Sequence, residues 1–353
     1  MNRFYTYKGA IHIHTNLSDG TGDIYAISNA AKKVGLDFII ITDHNHYDID
    51  EGIINGVYVI KAQEISPMQC NHYLALDVNE VIPPNDDANV YVNKVRESGG
   101  IGFAAHPDEG FIIDKSGNAT PRKNSHHCIP WTDKNIKPDG VEIWNWFSNW
   151  ADNLDDSNIF KLAYAYLFKN SIVTSPSRLT LNWWDELNKE SDKIIPAIGG
   201  VDAHALKIKK YIFPVTVFPY ETCFNTITNV INLPNKLTEN FKEAKGQILN
   251  AIRFGANVIL NQNIVSDIPK IYIKNKNDIF YCGSDIIIDD GTNLYIEAKK
   301  TFEISLLYNG RVIDKAISNN YLYQINDCGK YRVELSYKGK GYLYTNPFNI
   351  KKT

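Results

Sequence analysis

Residues 9–23 read GAIHIHTNLSDGTGD and set His12 and His14 two positions apart in an apolar–His–apolar–His pattern, with Asp19 and two glycines close behind. The alternation reads as a strand, on which side chains at i and i+2 share a face, so both imidazoles are expected to face one point. Taken alone, the stretch fits a solvent-facing histidine pair on a half-buried strand as well as it fits a metal site. Further along the chain come His44 in ITDHNH, Glu64 in KAQE, His72 in NHYLAL, His106 in FAAHP, and Asp202 with His204 in GGVDAHA. Any one of these histidines is read first as a satisfied buried histidine, and either acid as a helix cap or a solvated turn. The joint pattern reads otherwise, because the residues recur beside strands with no compensating basic residue. Neutral imidazoles with a few carboxylates are the ligand set of Zn, Mn or Fe. One tetrahedral site takes about four ligands. The surplus here predicts two or three divalent ions sharing a bridging carboxylate.

The elements that must position them are short apolar runs alternating with helical patterns, up to about residue 260. DFIIIT (37–42), GVYVIKAQE (56–64), HYLALDV (72–78), GIGFAAH (100–106), GVEIWN (140–145) and IIPAIGGVDAH (194–204) read as strands. Such continuous apolar runs suit a parallel sheet buried on both faces. GDIYAISNAAKKVG carries Ile24, Ile27, Ala30, Ala31 and Val34 at helical spacing and ends on a capping glycine, Gly35. About seven strands with helical crossovers predict an α/β fold, a (β/α) barrel or a variant of it, whose strand C-termini converge on one catalytic face. His72 stands at the front of its run, so either that strand is short or antiparallel, or this histidine is structural. Two insertions, 107–139 and 147–192, follow the fifth and sixth strands and hang over the expected site. IFKLAYAYLFKN in the second reads as helical and SPSRLTLNWW as loop. All six tryptophans fall between 131 and 184, the mark of a packed insertion, with Trp144 and Trp184 as candidate pocket walls.

From about residue 265 the texture changes. KIYIK, DIIID, NLYIEA, FEISLLYNGRVI, NYLYQI, GKYRVELSY and YLYTNPFNI alternate apolar and polar residues between turn signals, which predicts a small all-β sandwich. The expected domains are therefore 1–265 and 266–353, with the joint at SDIP (266–269).

In order, HIHTNLSDG, GLDFIIITDHN, the QE that ends a strand, NHYLAL, FAAHP and GGVDAHA resemble the PHP (polymerase and histidinol phosphatase) domain family over residues 8 to about 260. The C-terminal part is similar to the β-domain appended to some stand-alone members. The resemblance implies a distorted, TIM-like (β/α)7 barrel carrying a trinuclear site. Carried over by motif position, His12, His14, Glu64 and Asp202 would hold one ion. Glu64 would bridge to a second ion held by His72 and His106, and Asp19, His44 and His204 would take the third. Asp19 stands where some members have histidine.

The implied activity is metal-dependent hydrolysis of phosphate esters by a metal-bridging hydroxide, the ions also neutralising charge on the phosphoryl oxygens. Candidate catalytic residues outside the ligand set are three. Asp43, beside His44, reads either as an imidazole-orienting carboxylate or as a turn aspartate. Arg178 in SPSRLT reads either as a bidentate donor to substrate phosphate or as a surface arginine. Glu142, with Asn145, ends the sixth strand and would point at the site. An amidohydrolase-type barrel would want a lysine on a middle strand, and NHYLALDV and GIGFAAHP offer none. A 3′–5′ exonuclease or phosphodiesterase acting on nucleic acid gains nothing from a net charge of −3, since phosphate-backbone binders carry a basic excess. A non-catalytic PHP-fold binding protein would be expected to have lost ligands. The expected substrate is a small phosphorylated metabolite or nucleotide. The 353-residue chain is 44% hydrophobic with five scattered cysteines and no C-x-x-C, read as reduced thiols in a cytoplasmic setting. No apolar run approaches the roughly 20 residues of a membrane span, and with the first strand expected from near Lys8 no leader is expected. Nothing in the sequence fixes an oligomeric state.

Overall fold

A computed structural model of the chain describes residues 4–113, 119–121, 129–153, 164–208, 215–276 and 278–352. It divides into two compact units, one of Lys8–Leu181 with Ile198–Thr228, the other of Met1–Tyr7 with Asn182–Ala197 and Asn229–Thr353.

The first unit is mixed α/β. Its elements are β1 (Tyr5–Ile11, from Lys8 onward), α1 (Ile24–Val34), β2 (Phe38–Ile41), β3 (Gly52–Ile54), β4 (Val57–Lys61), β5 (Gln63–Ile65), β6 (Tyr73–Leu76), α2 (Ala88–Glu97), β7 (Ile101–Ala104), the hairpin β8 (Phe111–Ile113) and β9 (Ala119–Pro121), β10 (Gly140–Asn145), α3 (Trp146–Asp152) and β11 (Ala197–Gly200). The local causes are those of the sequence. In α1, the Asp23 carboxylate accepts from Ala26 N at 2.8 Å, and Gly35 at φ +81° closes the C-terminus, a side-chain N-cap and a left-handed C-cap. Its buried stripe of Ile24, Ile27, Ala30 and Ala31 packs on β2 and β4. All four residues of β2 are buried, as a strand covered on both faces requires.

The pairing differs from a uniformly parallel sheet. β1, β2 and β4 are parallel neighbours, with β3 antiparallel on β4. A second sheet runs β11-β10-β7-β6-β5; β7 and β10 are parallel, but β6 is antiparallel to both β5 and β7. Isolated parallel bridges Ile13↔Ala203 and His44↔Glu64 join strand ends of the two sheets. The reversed β6 answers the question raised by His72. A residue at the start of an antiparallel strand lies at the end where its neighbours finish.

The second unit is rich in antiparallel strand. NLYIEA and FEISLLY, expected as two strands, form one from Asn293 to Tyr308, with a register irregularity between Glu297 and Phe302. It turns through Asn309 and Gly310, both at positive φ, into Arg311–Gln324, the two-residue hairpin that an Asn-Gly pair favours. Asp285–Ile287 pairs in parallel with Phe348–Lys351. Val258, Leu260, Ile273, Leu306, Val333 and Leu335 are among its core residues. SPSRLTLNWW, expected as loop, runs instead into a helix, Arg178–Glu190. Ser177 Oγ accepts from Leu179 N at 3.0 Å, a capping serine, and Leu181, Trp184 and Asn188 are buried at helical spacing. The expected joint at Ser266 follows chain order, whereas packing groups 229–265 with the β-rich part: Val258–Leu260 pair with Leu343–Thr345.

Among the described residues no helix is long and apolar enough to cross a membrane. Cys70, Cys223, Cys282 and Cys328 are free; Cys128 lies outside the described residues.

Candidate metal centre

All nine candidate ligands lie in the first unit, eight in or close to strand ends and Asp19 on a turn. β1 stops at Ile11. His12 then takes a left-handed conformation at φ +69°, and His14 N donates to Ala203 O at 3.0 Å. The two histidines therefore meet across a kink, not along a regular strand, with ring centroids 5.2 Å apart. His106 and Asp202 are also at positive φ, +28° and +51°. Left-handed conformations in non-glycine residues cost about 1 kcal/mol or more each and gather at functional sites. His44 follows β2, Glu64 lies in β5, His72 precedes β6, His106 follows β7, and Asp202 and His204 follow β11.

Glu64 is at the centre. Its Oε1 lies 2.8 Å from His72 Nδ1 and 3.2 Å from His106 Nε2; its Oε2 lies 2.9 Å from His44 Nδ1, 3.3 Å from His12 Nε2 and 3.4 Å from His14 Nε2. Asp202 Oδ1 is 3.2 Å from His14 Nε2 and 3.5 Å from His12 Nε2. Asp19 Oδ1 is 3.2 Å from His204 Nε2, and its Oδ2 is 3.6 Å from His44 Nε2. Donor atoms within 4.8 Å of one another form four groups: His14–Asp19–His44–His204, His12–Glu64–His106, His12–His14–Asp202 and His44–Glu64–His72. His72 and His106, expected to share one ion, thus fall in separate groups, each with Glu64.

Such crowding of like rings around three acids has an electrostatic signature. Burial opposes charge on His12, but Asp202, Glu142 and Glu64 outweigh it and hold its pKa well above the ordinary value. For His44 burial is likewise outweighed, chiefly by Glu64 and Asp19, and its pKa rises to about 10. His14, buried and facing His204, is pushed down to about 4. Burial would raise the carboxyls of Glu64 and Asp202, yet the surrounding histidines hold both well below the usual range. Among the described residues, every cationic partner within 4.0 Å of Asp19, Glu64 and Asp202 is a histidine.

The outer contacts decide which ring nitrogen is available. Glu142 Oε1 lies 2.8 Å from His12 Nδ1, and its Oε2 accepts from His106 N at 2.7 Å and Asn145 Nδ2 at 3.1 Å. A carboxylate on Nδ1 leaves Nε2 to face the cluster. Glu109, which the sequence reading passed over, places Oε2 2.8 Å from His106 Nδ1; its position three residues beyond the histidine in AAHPDE was the available signal. Backbone carbonyls do the same elsewhere, Pro67 O at 3.0 Å from His72 Nε2 and Asp202 O at 3.0 Å from His204 Nδ1.

Of its two readings, Asp43 takes that of a turn aspartate. Its hydrogen bonds come from Thr15 N, Thr15 Oγ1 and Ser18 Oγ at 2.7, 2.8 and 2.5 Å, so it grips the turn before Asp19. Arg178 is exposed in the first turn of its helix and belongs to none of the four groups. Trp144 and Trp184 are both about fully buried, 1% and 0% exposed. The Trp184 indole donates to Ile195 O and its ring carries the Arg332 guanidinium, a core role in the second unit. Phe147 lies beside the cluster, half-buried with its ring centroid 5.8 Å from that of His204.

The donor set suits divalent ions. His12 Nε2, both nitrogens of His14 and Glu64 Oε2 are buried without a hydrogen-bond partner. Orphaned polar atoms in a buried site carry a penalty of about 1–3 kcal/mol each; here His12 Nε2 and His14 Nε2 face Glu64 Oε2, and His14 Nδ1 faces Asp19. Borderline N and O donors, with orienting contacts behind them, suit divalent transition-metal ions.

No family model matches the chain. Structural comparison aligns it with a two-domain protein from Bacteroides vulgatus containing a predicted PHP-like metal-dependent phosphoesterase, at 15% identity and a TM-score of 0.47 over 98% of this chain and 96% of that one. PsfC from Pseudomonas syringae aligns at 14% identity and a TM-score of 0.39 over 72% of this chain and 97% of that one. Likenesses at this distance do not bear on the chemistry of the cluster. In sequence, the chain is 30% identical over 118 residues to the uncharacterized protein MJ1587 of Methanocaldococcus jannaschii, covering 28% of this chain and 67% of that one. By that identity, across two thirds of its relative's length, the chain belongs to the family of MJ1587.

Proposed function

We propose that the chain is a metal-dependent phosphoesterase of the PHP type, a phosphatase acting on a small phosphorylated substrate. The observation that carries this reading is the buried, shared carboxylate of Glu64, contacted within 3.4 Å by five imidazoles. His12, His14, Asp202 and a shared Glu64 would hold one ion. Glu64 with His72 and His106 would hold a second, and Asp19, His44 and His204 a third. Divalent ions there would supply activation of water and neutralisation of charge on phosphoryl oxygens. The protein's own part is preorganisation. Glu142 fixes His12 through Nδ1, Pro67 O fixes His72 through Nε2, and the Asp202 carbonyl fixes His204. The groups around His12 are wholly buried, while Asp19 is exposed and His44 and His204 are partly so, so substrate would approach from the Asp19 side, past Phe147. We read the two sheets, linked by the bridges at Ile13 and His44, as staves of a distorted seven-stranded barrel.

The test is a screen of the Mn-loaded protein against phosphomonoesters, phosphodiesters and long single-stranded DNA. Monoester turnover should exceed that of the polymer and disappear on chelation. Full activity in a preparation shown metal-free by elemental analysis would end this reading, and processive degradation of DNA with monoesters untouched would replace it with the nuclease reading.

A further inference from the structure

Among the nine clustered side chains, Asp19 is the exposed one, carried on a turn instead of a strand end. Its carboxylate must nevertheless meet His204 and His44. A free turn would lose about 1–2 kcal/mol of backbone freedom per residue each time it did so, and two anchors hold it in advance. Asp43 grips the N-terminal side through Thr15 and Ser18. The second anchor is Tyr220, buried in the short helix Tyr220–Phe224. Its hydroxyl donates to His14 O at 2.7 Å and accepts from Gly22 N at 3.1 Å and Thr21 N at 3.3 Å. Thr21 N also donates to His204 O at 3.0 Å. One hydroxyl therefore ties the segment of His14 to the far end of the Asp19 turn, beside the segment of His204. The glycines of SDGTGD permit this approach. A Cβ on Gly22 would stand 2.6 Å from Tyr220 Cε2, and one on Gly20 2.2 Å from His14 O.

We propose that Tyr220 is a positioning residue that sets the occupancy of the outermost ion position, the one sharing Asp19, without contacting that ion. The proposal rests on the metal-centre reading above. The experiment titrates full-length, metal-stripped protein with Mn2+ and counts bound equivalents by elemental analysis, for the wild type, Tyr220→Phe, Gly22→Ala and Asp19→Asn. Thermal unfolding of each metal-free protein serves as the fold control. Tyr220→Phe removes the donor to His14 O and leaves Gly22 N unpaired. The last equivalent should then need about tenfold more free Mn2+, the effect of about one net hydrogen bond, while the earlier ones stay unchanged. Gly22→Ala should weaken the same equivalent. Combined with Asp19→Asn, Tyr220→Phe should add almost nothing further, because both act on one position. An unchanged titration overturns the proposal. So does a uniform weakening of all equivalents with a lowered unfolding temperature, which is the mark of a merely structural tyrosine. A wild-type protein that binds no divalent ion would instead overturn the metal-centre reading, and this proposal with it.

Discussion

Replacing Glu64 by glutamine keeps the side chain's shape and removes its charge, and the structure fixes how far the damage should spread. Glu64 belongs to two of the four donor groups, and Asp202 to one. The Oε1 of Glu64 serves His72 and His106 while Oε2 serves His12, His14 and His44, so no rotation of an amide can satisfy both sides. At an effective dielectric near 20, losing one unit charge about 4 Å away costs an adjacent unit charge about 4 kcal/mol. Even an orienting partner one step removed from a metal is worth 10- to 100-fold in affinity. Glu64→Gln should therefore weaken two ions together, each on the order of 100-fold or more, and the protein dialysed at micromolar free metal should lose more than one equivalent. Asp202→Asn should lose one at most. Elemental analysis of the two variants, with circular dichroism to show that both are folded, makes the comparison. Equal losses would remove Glu64 from the bridging role and refute the argument.

Glu142→Gln should lower affinity for the ion nearest His12 by 10- to 100-fold, because the ring is held through Nδ1; unchanged binding in a metal titration would show that this contact is idle. The metal-free protein should lose stability as pH rises from about 7 to 10. His44 is raised to about 10 from 6.5, and His12, His106 and His204 are raised too, so their contribution is full below the unfolded pKa and is lost as pH climbs through the folded one. The metal-loaded form, its ligands already deprotonated, should lack that slope, and a metal-free melting temperature that held steady or rose over this range would contradict the charge assignment. A fragment ending at residue 265 should be insoluble or markedly less stable than the full chain, since Val258–Leu260 would lose their partners Leu343–Thr345; a soluble, cooperatively folding fragment would show that the first part carries its own core.

Much of the centre was legible because ligand chemistry is written in residue type. Histidines and acids placed beside apolar runs can be found from composition and spacing, and all nine come together, eight from strand ends and Asp19 from a turn. Strand positions and the capped helix α1 follow from local patterning, which the chain obeys within a few residues. Helix Arg178–Glu190 was legible too, in Ser177 and the spacing of Leu181, Trp184 and Asn188, but prolines and polar residues before it suggested loop. Other features belong to the tertiary structure. The direction of β6, which delivers His72, depends on pairing with β5 and β7. The left-handed kink at His12 breaks the strand alternation that the sequence predicts, yet both opening histidines reach Glu64 and Asp202. The service of Asp43 to Thr15 and Ser18, the hold of Tyr220 on Gly22, and the grouping of 229–265 with the β-rich unit are contacts between segments far apart in the chain. A sequence read locally states which groups can bind. Long-range packing, paid in backbone strain at three of the candidate ligands, decides which nitrogen of each ring faces the others.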